Sequence, residues 1–149
     1  MNPDDFLVLA VRLSDSSGEA ERRTAISRAY YAVFHKARVL VEGCGIVCPP
    51  TAEVHDKLAR CLQNAQDADL AMIGDKLNMF RSVRNTADYR LNEPKFGNSQ
   101  FVALQLAMAR ETADALAASP PFGPPCGSMR ATCSSLPYLE LIDRQEIAI

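Results

Sequence analysis

Apolar residues recur at helical spacing over most of the first 118 positions. The segment 3–13 carries Phe6, Leu7, Ala10, Val11 and Leu13 on one side. Ser14-Asp15-Ser16-Ser17-Gly18 breaks it and supplies N-cap residues for the second helix. Across 19–42, Ala25/Ile26, Ala29/Tyr30, Val33/Phe34, Ala37 and Leu40/Val41 form one amphipathic stripe, which Gly43, Gly45, Pro49 and Pro50 end. A third helix is predicted to open at Thr51 as its N-cap, with Val54, Leu58, Cys61/Leu62 and Ala65 on its inner face. The fourth opens near Asp67 or Asp69 and runs to about Tyr89 or Leu91 on Leu70, Ile73, Leu77, Phe80 and Ala87. Residues 92–97 read as a loop, and Asn98 or Ser99 caps a fifth helix to about Ala118. That helix has two apolar sides, Phe101/Leu104/Met108/Ala115 and Val102/Leu106/Ala109/Ala113/Leu116, which implies burial from two directions.

No segment alternates as a half-buried strand would, so the expected fold is all-α. Short connections make it an up-and-down antiparallel bundle of about five helices spanning residues 1–118. Residues 119–149 read as a separate linker and tail. Pro120-Pro121-Phe122-Gly123-Pro124-Pro125-Cys126-Gly127-Ser128 is rich in helix breakers, and the apolar-acidic stretch from Leu136 to Ile142 is expected either to be disordered or to dock on the bundle or a partner.

Composition narrows the function classes. A 149-residue chain that is 48% hydrophobic suits one domain with a real core. It has no run of about 18 apolar residues, so no membrane-spanning helix is expected. Its N-terminus, Met1-Asn2-Pro3-Asp4-Asp5, is acidic where a signal peptide would be basic, which points to the cytoplasm. A net charge of −2 makes no global case for nucleic-acid binding, so such a role would need a local cationic patch. The five cysteines read as reduced thiols. Cys44 and Cys48 have the spacing of half a metal site, but no second Cys/His pair is present at zinc spacing. No metal or cofactor is expected.

Polar side chains then stand out by position. Arg84-Asn85-Thr86-Ala87-Asp88-Tyr89 spends buried-type helix positions on polar groups, which cost free energy unless paired. Arg81, Arg84 and Asp88 share one side of the fourth helix. Arg28, Tyr31, His35 and Arg38 share one side of the second, beside its apolar stripe. Two such helices packed together would border one groove. Arginine forks suit phosphate oxygens, tyrosines can stack on bases, and histidine titrates near neutrality. Equally, Arg84 and Asp88 could form a plain ion pair and Asn85 and Tyr89 a local polar pair, so a binding groove and a structural network both remain open. His55, in the first turns of the third helix, is the weaker of the two histidines as a candidate.

Ser27-Arg28-Ala29-Tyr30-Tyr31-Ala32-Val33-Phe34-His35-Lys36-Ala37-Arg38, followed by Arg84-Asn85-Thr86-Ala87-Asp88-Tyr89, resembles the HEPN superfamily over roughly residues 3–118. More narrowly it is similar to small prokaryotic HEPN proteins with an S-R-x-Y-Y-A-x-F helix and an R-x-x-x-A-D-Y helix end. The resemblance implies a homodimer that meets along the Arg84-bearing helix. It also implies a metal-independent ribonuclease site in the groove between the two copies, in a toxin–antitoxin or phage-defence setting. A nucleotidyltransferase antitoxin or a defence-complex protein is the implied partner. Arg84 matches the arginine of the family's Arg-x(4–6)-His motif, but Tyr89 stands where its histidine is expected and positions 89 to 91 hold none. A tyrosine, with a pKa near 10, is a poor proton shuttle at neutral pH.

With His35 taken from the polar stripe of the second helix in place of the missing motif histidine, the expected site has Arg84, His35 and Asp88 as catalytic residues, with Arg28, Tyr31, Arg38, Arg81, Asn85 and Tyr89 binding RNA or a nucleotide. The rival expectation is a non-catalytic helical module that binds a partner protein.

Overall fold

The computed structural model describes residues 1–119, so the linker and tail expected from Pro120 onward lie outside the described residues. Five helices succeed one another: α1 (Pro3–Ser14), α2 (Glu19–Gly43), α3 (Val54–Gln63), α4 (Ala68–Tyr89) and α5 (Ser99–Ala118). Among the described residues there is no strand. The all-α bundle expected from the apolar periodicity is therefore the fold.

Polar side chains set most helix starts. Asn2 Oδ1 accepts from Asp4 N at 3.1 Å while Asp5 Oδ2 accepts from Asn2 N at 2.9 Å, a reciprocal capping box on α1. Asp67 caps α4 and Asn98 caps α5 without the reciprocal bond, each accepting two backbone N–H groups. Two starts differ from expectation. α3 begins at Val54, because Thr51-Ala52-Glu53 form a turn in which Thr51 O accepts from Val54 N at 3.1 Å. α2 is led by Gly18, with no side-chain cap. The preceding turn is instead held from inside α2, where Arg22 Nη1 donates to Ser16 O and Ser17 O. The stop of α2 falls where the glycines place it. Gly45 takes a φ of 75°, in the left-handed region, and Ile46 N then reaches back to Val41 O at 3.4 Å.

The long helix α2 is the centre of the bundle, and its Ala25, Ala29, Ala32, Val33, Ala37 and Val41 are buried. α1 packs antiparallel on it, with Lys36 Nζ 2.7 Å from Asp4 Oδ1. α4 also runs antiparallel to α2, whose first turns meet the last turn of α4. α3 lies antiparallel to α4, tied by Asp56–Arg81 at one end and Gln63–Asp75 at the other. Gly74 makes that approach close. A Cβ there would stand 2.6 Å from Gln63 N and 2.8 Å from Ala59 O, backbone atoms that cannot yield by rotating.

α5 runs in the same direction as α2, from Phe96 beside Arg22 to Leu116 beside Leu40. It buries Val102, Leu106, Ala109, Ala113 and Leu116. On its second apolar side Phe101 and Met108 pack against the core margin, whereas Leu104 is 57% exposed and Ala115 is exposed. Two-sided burial of α5 is thus not achieved within the described residues. Of the cysteines expected as reduced thiols, Cys61 is instead disulfide-bonded, while Cys44 and Cys48 are in no disulfide.

One buried cation joins these elements. Arg23, 8% exposed, donates from Nη1 to Ala87 O and Arg90 O and from Nη2 to Leu91 O and Glu93 O, at 2.9–3.1 Å. Its Nε pairs with Glu19 at 2.7 Å, and its guanidinium lies 4.7 Å from the Phe96 ring centroid. A helix C-terminus leaves carbonyls without intrahelical partners, and Arg23 supplies the donors from another helix.

These contacts set the cost of two substitutions. Arg23→Ala strands several part-buried carbonyls and should lower the unfolding free energy by about 3 kcal/mol in urea titration; an unchanged midpoint would refute the tie. Gly74→Ala should cost about 1–3 kcal/mol by forcing α3 and α4 apart, and a neutral result would show that the interface relaxes freely.

Candidate functional site

The outer face of α4 and the start of α3 enclose an open depression of about 680 Å³. Arg81, Ser82, Arg84, Asn85, Tyr89 and Arg90 reach it from α4 and its C-terminal end, and Ala52 and His55 from the α3 side. Helical spacing explains the α4 set. Positions 81, 85 and 89 recur at one turn on a flank of α4 beside the buried Leu77, Phe80 and Ala87. The lining holds three arginines and no carboxylate, and so supplies the local cationic patch that the net charge does not.

Arg84 is the best-held of the arginines. Its Nη2 donates to the Tyr31 hydroxyl at 3.0 Å and its Nη1 to Asn85 Oδ1 at 3.0 Å. Its Nε lies 2.8 Å from Asp88 Oδ2 but makes no aligned hydrogen bond, so that contact is Coulombic. The Tyr31 and Tyr89 ring centroids stand 5.4 and 5.8 Å from its guanidinium. Asp88 also accepts weakly from Ser27 Oγ at 3.4 Å. Arg81 is held more loosely, with Asp56 Oδ1 at 3.4 Å while the other oxygen of Asp56 pairs with Arg60 at 2.7 Å. Tyr89 is 74% exposed, an aromatic face presented to solvent at the rim.

The structure sorts the residues expected from the sequence. It brings Arg81, Arg84, Asn85 and Tyr89 to the depression, with Tyr31 and Asp88 bound to Arg84 beside it. The α2 stripe does not join them as a unit. Arg28 lies between the rings of Tyr31 and Phe6 of α1, its guanidinium 5.2 and 5.8 Å from their centroids, and its buried Nε has no hydrogen-bond partner. His35 stacks on Phe6 at 5.3 Å and 18° and does not line the depression. Arg38 pairs with Glu42 at 2.8 Å on its own helix, away from the other arginines. The reason is steric: α1 covers the flank of α2 that carries Arg28 and His35.

The histidine that does reach the depression is His55. The Tyr30 hydroxyl lies 2.6 Å from its Nδ1, a short contact made inside the aromatic group of Tyr30, Tyr31 and Phe34. Tyr30 is 1% exposed, and burial holds its hydroxyl well above the usual phenol range, so it keeps its proton at neutral pH. His55 is pushed below the usual imidazole value, first by burial, then by the positive charges of Arg81 and Arg84, with His35 adding to the effect. His35 is itself lowered by burial and by Arg38. Both rings are therefore neutral at pH 7.

By sequence His55 ranks below His35. The signal that favours it is its register: it stands three and seven residues before Leu58 and Leu62, on the inward face of α3. The polar stripes do not single out Arg23 at all, although it stands seven residues before Tyr30 at the head of the α2 apolar stripe.

No protein-family model, curated protein or solved structure matches this chain.

The histidine environment has a measurable consequence. In an NMR titration His55 should protonate below 6.5, its usual value. Arg81→Gln, which removes a neighbouring positive charge, should move the midpoint up. The unfolded chain takes this proton near 6.5 while the folded chain resists it to lower pH, so stability should fall as pH drops through that window. A midpoint above 6.5 would contradict the environment described.

Proposed function

We propose that this chain is a HEPN-type RNA-binding protein whose α3–α4 depression holds the ribose-phosphate backbone, acting as a homodimer in a toxin–antitoxin or phage-defence setting. The observation that carries the reading is the convergence of Arg81, Arg84 and Arg90 on one depression whose lining contains no acidic side chain. Arginine offers phosphate a planar fork of donors, and the exposed Tyr89 ring beside Arg84 offers a surface on which a base can stack. The Tyr31 hydroxyl and Asp88 hold the Arg84 guanidinium in one orientation, which lowers the entropy cost of binding an anion. The two motif helices thus meet through Tyr31 and Arg84. In this reading an antitoxin of the nucleotidyltransferase class, or a larger defence complex, binds the dimer and controls access to the depression.

A second reading has its own observation. Every guanidinium nitrogen of Arg84 already has an internal neighbour, in Tyr31, Asn85 and Asp88. An arginine so engaged also suits a purely structural tie between α2 and α4, in a non-catalytic module that binds a partner protein.

Arg81 and Arg90 separate the two readings, because each can be removed without breaking the Arg84 ties. Fluorescence anisotropy with a labelled, mixed-sequence single-stranded oligoribonucleotide in EDTA should show binding that weakens with salt. Arg81→Ala and Arg90→Ala should each lower the salt slope by about 1 while leaving the thermal midpoint nearly unchanged. Absence of binding by the wild-type chain at low salt, together with unfolding of Arg84→Ala, would leave the structural module as the reading that stands.

A further inference from the structure

Among the described residues, the α3–α4 depression is lined by one side chain that titrates near neutrality, His55, and by three permanent cations, Arg81, Arg84 and Arg90. No carboxylate of the described residues shares that lining, so positive charge is concentrated there before any ligand arrives. His55 responds to it. Burial lowers its proton affinity first, and the charges of Arg81 and Arg84 lower it further. An anion seated among the arginines reverses the second cause, because its charge offsets theirs and attracts the imidazolium. Tyr30 suits both ring states. Its hydroxyl, 2.6 Å from His55 Nδ1, can donate to the neutral ring or accept from Nδ1–H of the charged one. The ring can therefore take up a proton without leaving its place or losing its partner.

We propose that the depression is a proton-coupled anion site in which His55 is a conditional fourth cation, so that a bound phosphodiester and the His55 proton each strengthen the binding of the other. This regulation of the site rests on the RNA-binding reading above. At pH 7 the free site leaves His55 neutral, and the three arginines alone attract the ligand. Acidification adds the fourth charge and tightens binding. The ligand is bound and released unchanged. Linkage makes the effect reciprocal: the factor by which a charged His55 tightens anion binding is the factor by which the anion raises the proton affinity of His55. A rise of about one pH unit in the His55 midpoint corresponds to about tenfold in affinity.

The titratable and charged groups around His55 are Tyr30, Tyr31 and His35 from α2 and Arg81 and Arg84 from α4. Asp56, its neighbour on α3, is paired with Arg60 and Arg81. His35 stands against Phe6 and does not line the depression, so its protonation opposes that of His55 without adding a cation to the site.

The test uses the full chain and a labelled oligouridylate without a terminal phosphate. Its phosphodiesters and bases hold a constant charge over about pH 5 to 8, the range in which histidine titrates. Anisotropy at fixed ionic strength in EDTA should show affinity rising about tenfold from the upper to the lower end of that range. His55→Gln should remove most of the rise, whereas His35→Gln should retain it. A second measurement needs no variant: in an NMR titration, saturating oligouridylate should move the His55 midpoint up by about one pH unit. Affinity that is flat with pH, a rise equally steep in His55→Gln, or a His55 midpoint that the ligand leaves unmoved overturns this inference and leaves the RNA site standing. No binding of the oligouridylate at any pH in low salt overturns both.

Discussion

The Arg23 guanidinium occupies the place where α4 ends, and four backbone carbonyls from Ala87 to Glu93 converge on it. Buried charge is costly unless every donor is used. Here the Arg23 donors are spent on carbonyls of the end of α4 and the adjoining loop, on Glu19, and on the face of Phe96. The contact decides more than stability. It fixes where α4 stops relative to α2, and so fixes the height at which Arg84, Asn85 and Tyr89 stand. It also seats Phe96, fully buried, from which α5 departs along α2. Arg22 completes the clamp by donating to Phe96 O and to the turn before α2. Two adjacent arginines thereby hold one end of four helices.

With that end fixed, the polar groups of α2 and α4 divide into two sets with different fates. Tyr31 and Arg84 find each other across the α2–α4 interface and border the depression. Arg28 and His35 lie under α1 and join an aromatic layer with Phe6. The same layer continues through Tyr30, Tyr31 and Phe34 to His55. The candidate site is therefore the polar rim of an aromatic core. That placement explains both the neutral histidines and the fixed arginine: burial removes water from the rings, and the positive rim opposes their protonation.

How far a feature is legible in the sequence depends on whether it is local. The starts of α1, α4 and α5 each come from a side chain that caps its own backbone within three residues, and such bonds are visible in sequence. The sequence places the start of α3 two residues early, because Thr51 has the chemistry of a cap and the turn it heads uses backbone acceptors instead. The α4 face of the site is legible as a period of three and four residues. The α2 contribution is legible only in part, since Arg28, Tyr31, His35 and Arg38 share a helix face yet α1 divides that face between covered and open positions.

The sequence by itself determined the helical fold, the approximate extent of its five elements and the cationic face of α4, because periodicity, caps and breakers act through near neighbours along the chain. Only the tertiary structure decided which arginine is structural and which histidine meets the depression. Arg23 and Arg84 are alike as residue types, but one lies under four carbonyls 64 to 70 positions away and the other lies on an open rim. His35 stands in the better motif and His55 in the better place. Which of them can reach a phosphate depends on how α1 and α3 flank α2, and those contacts join residues 25 or more positions apart, beyond the range of any local pattern.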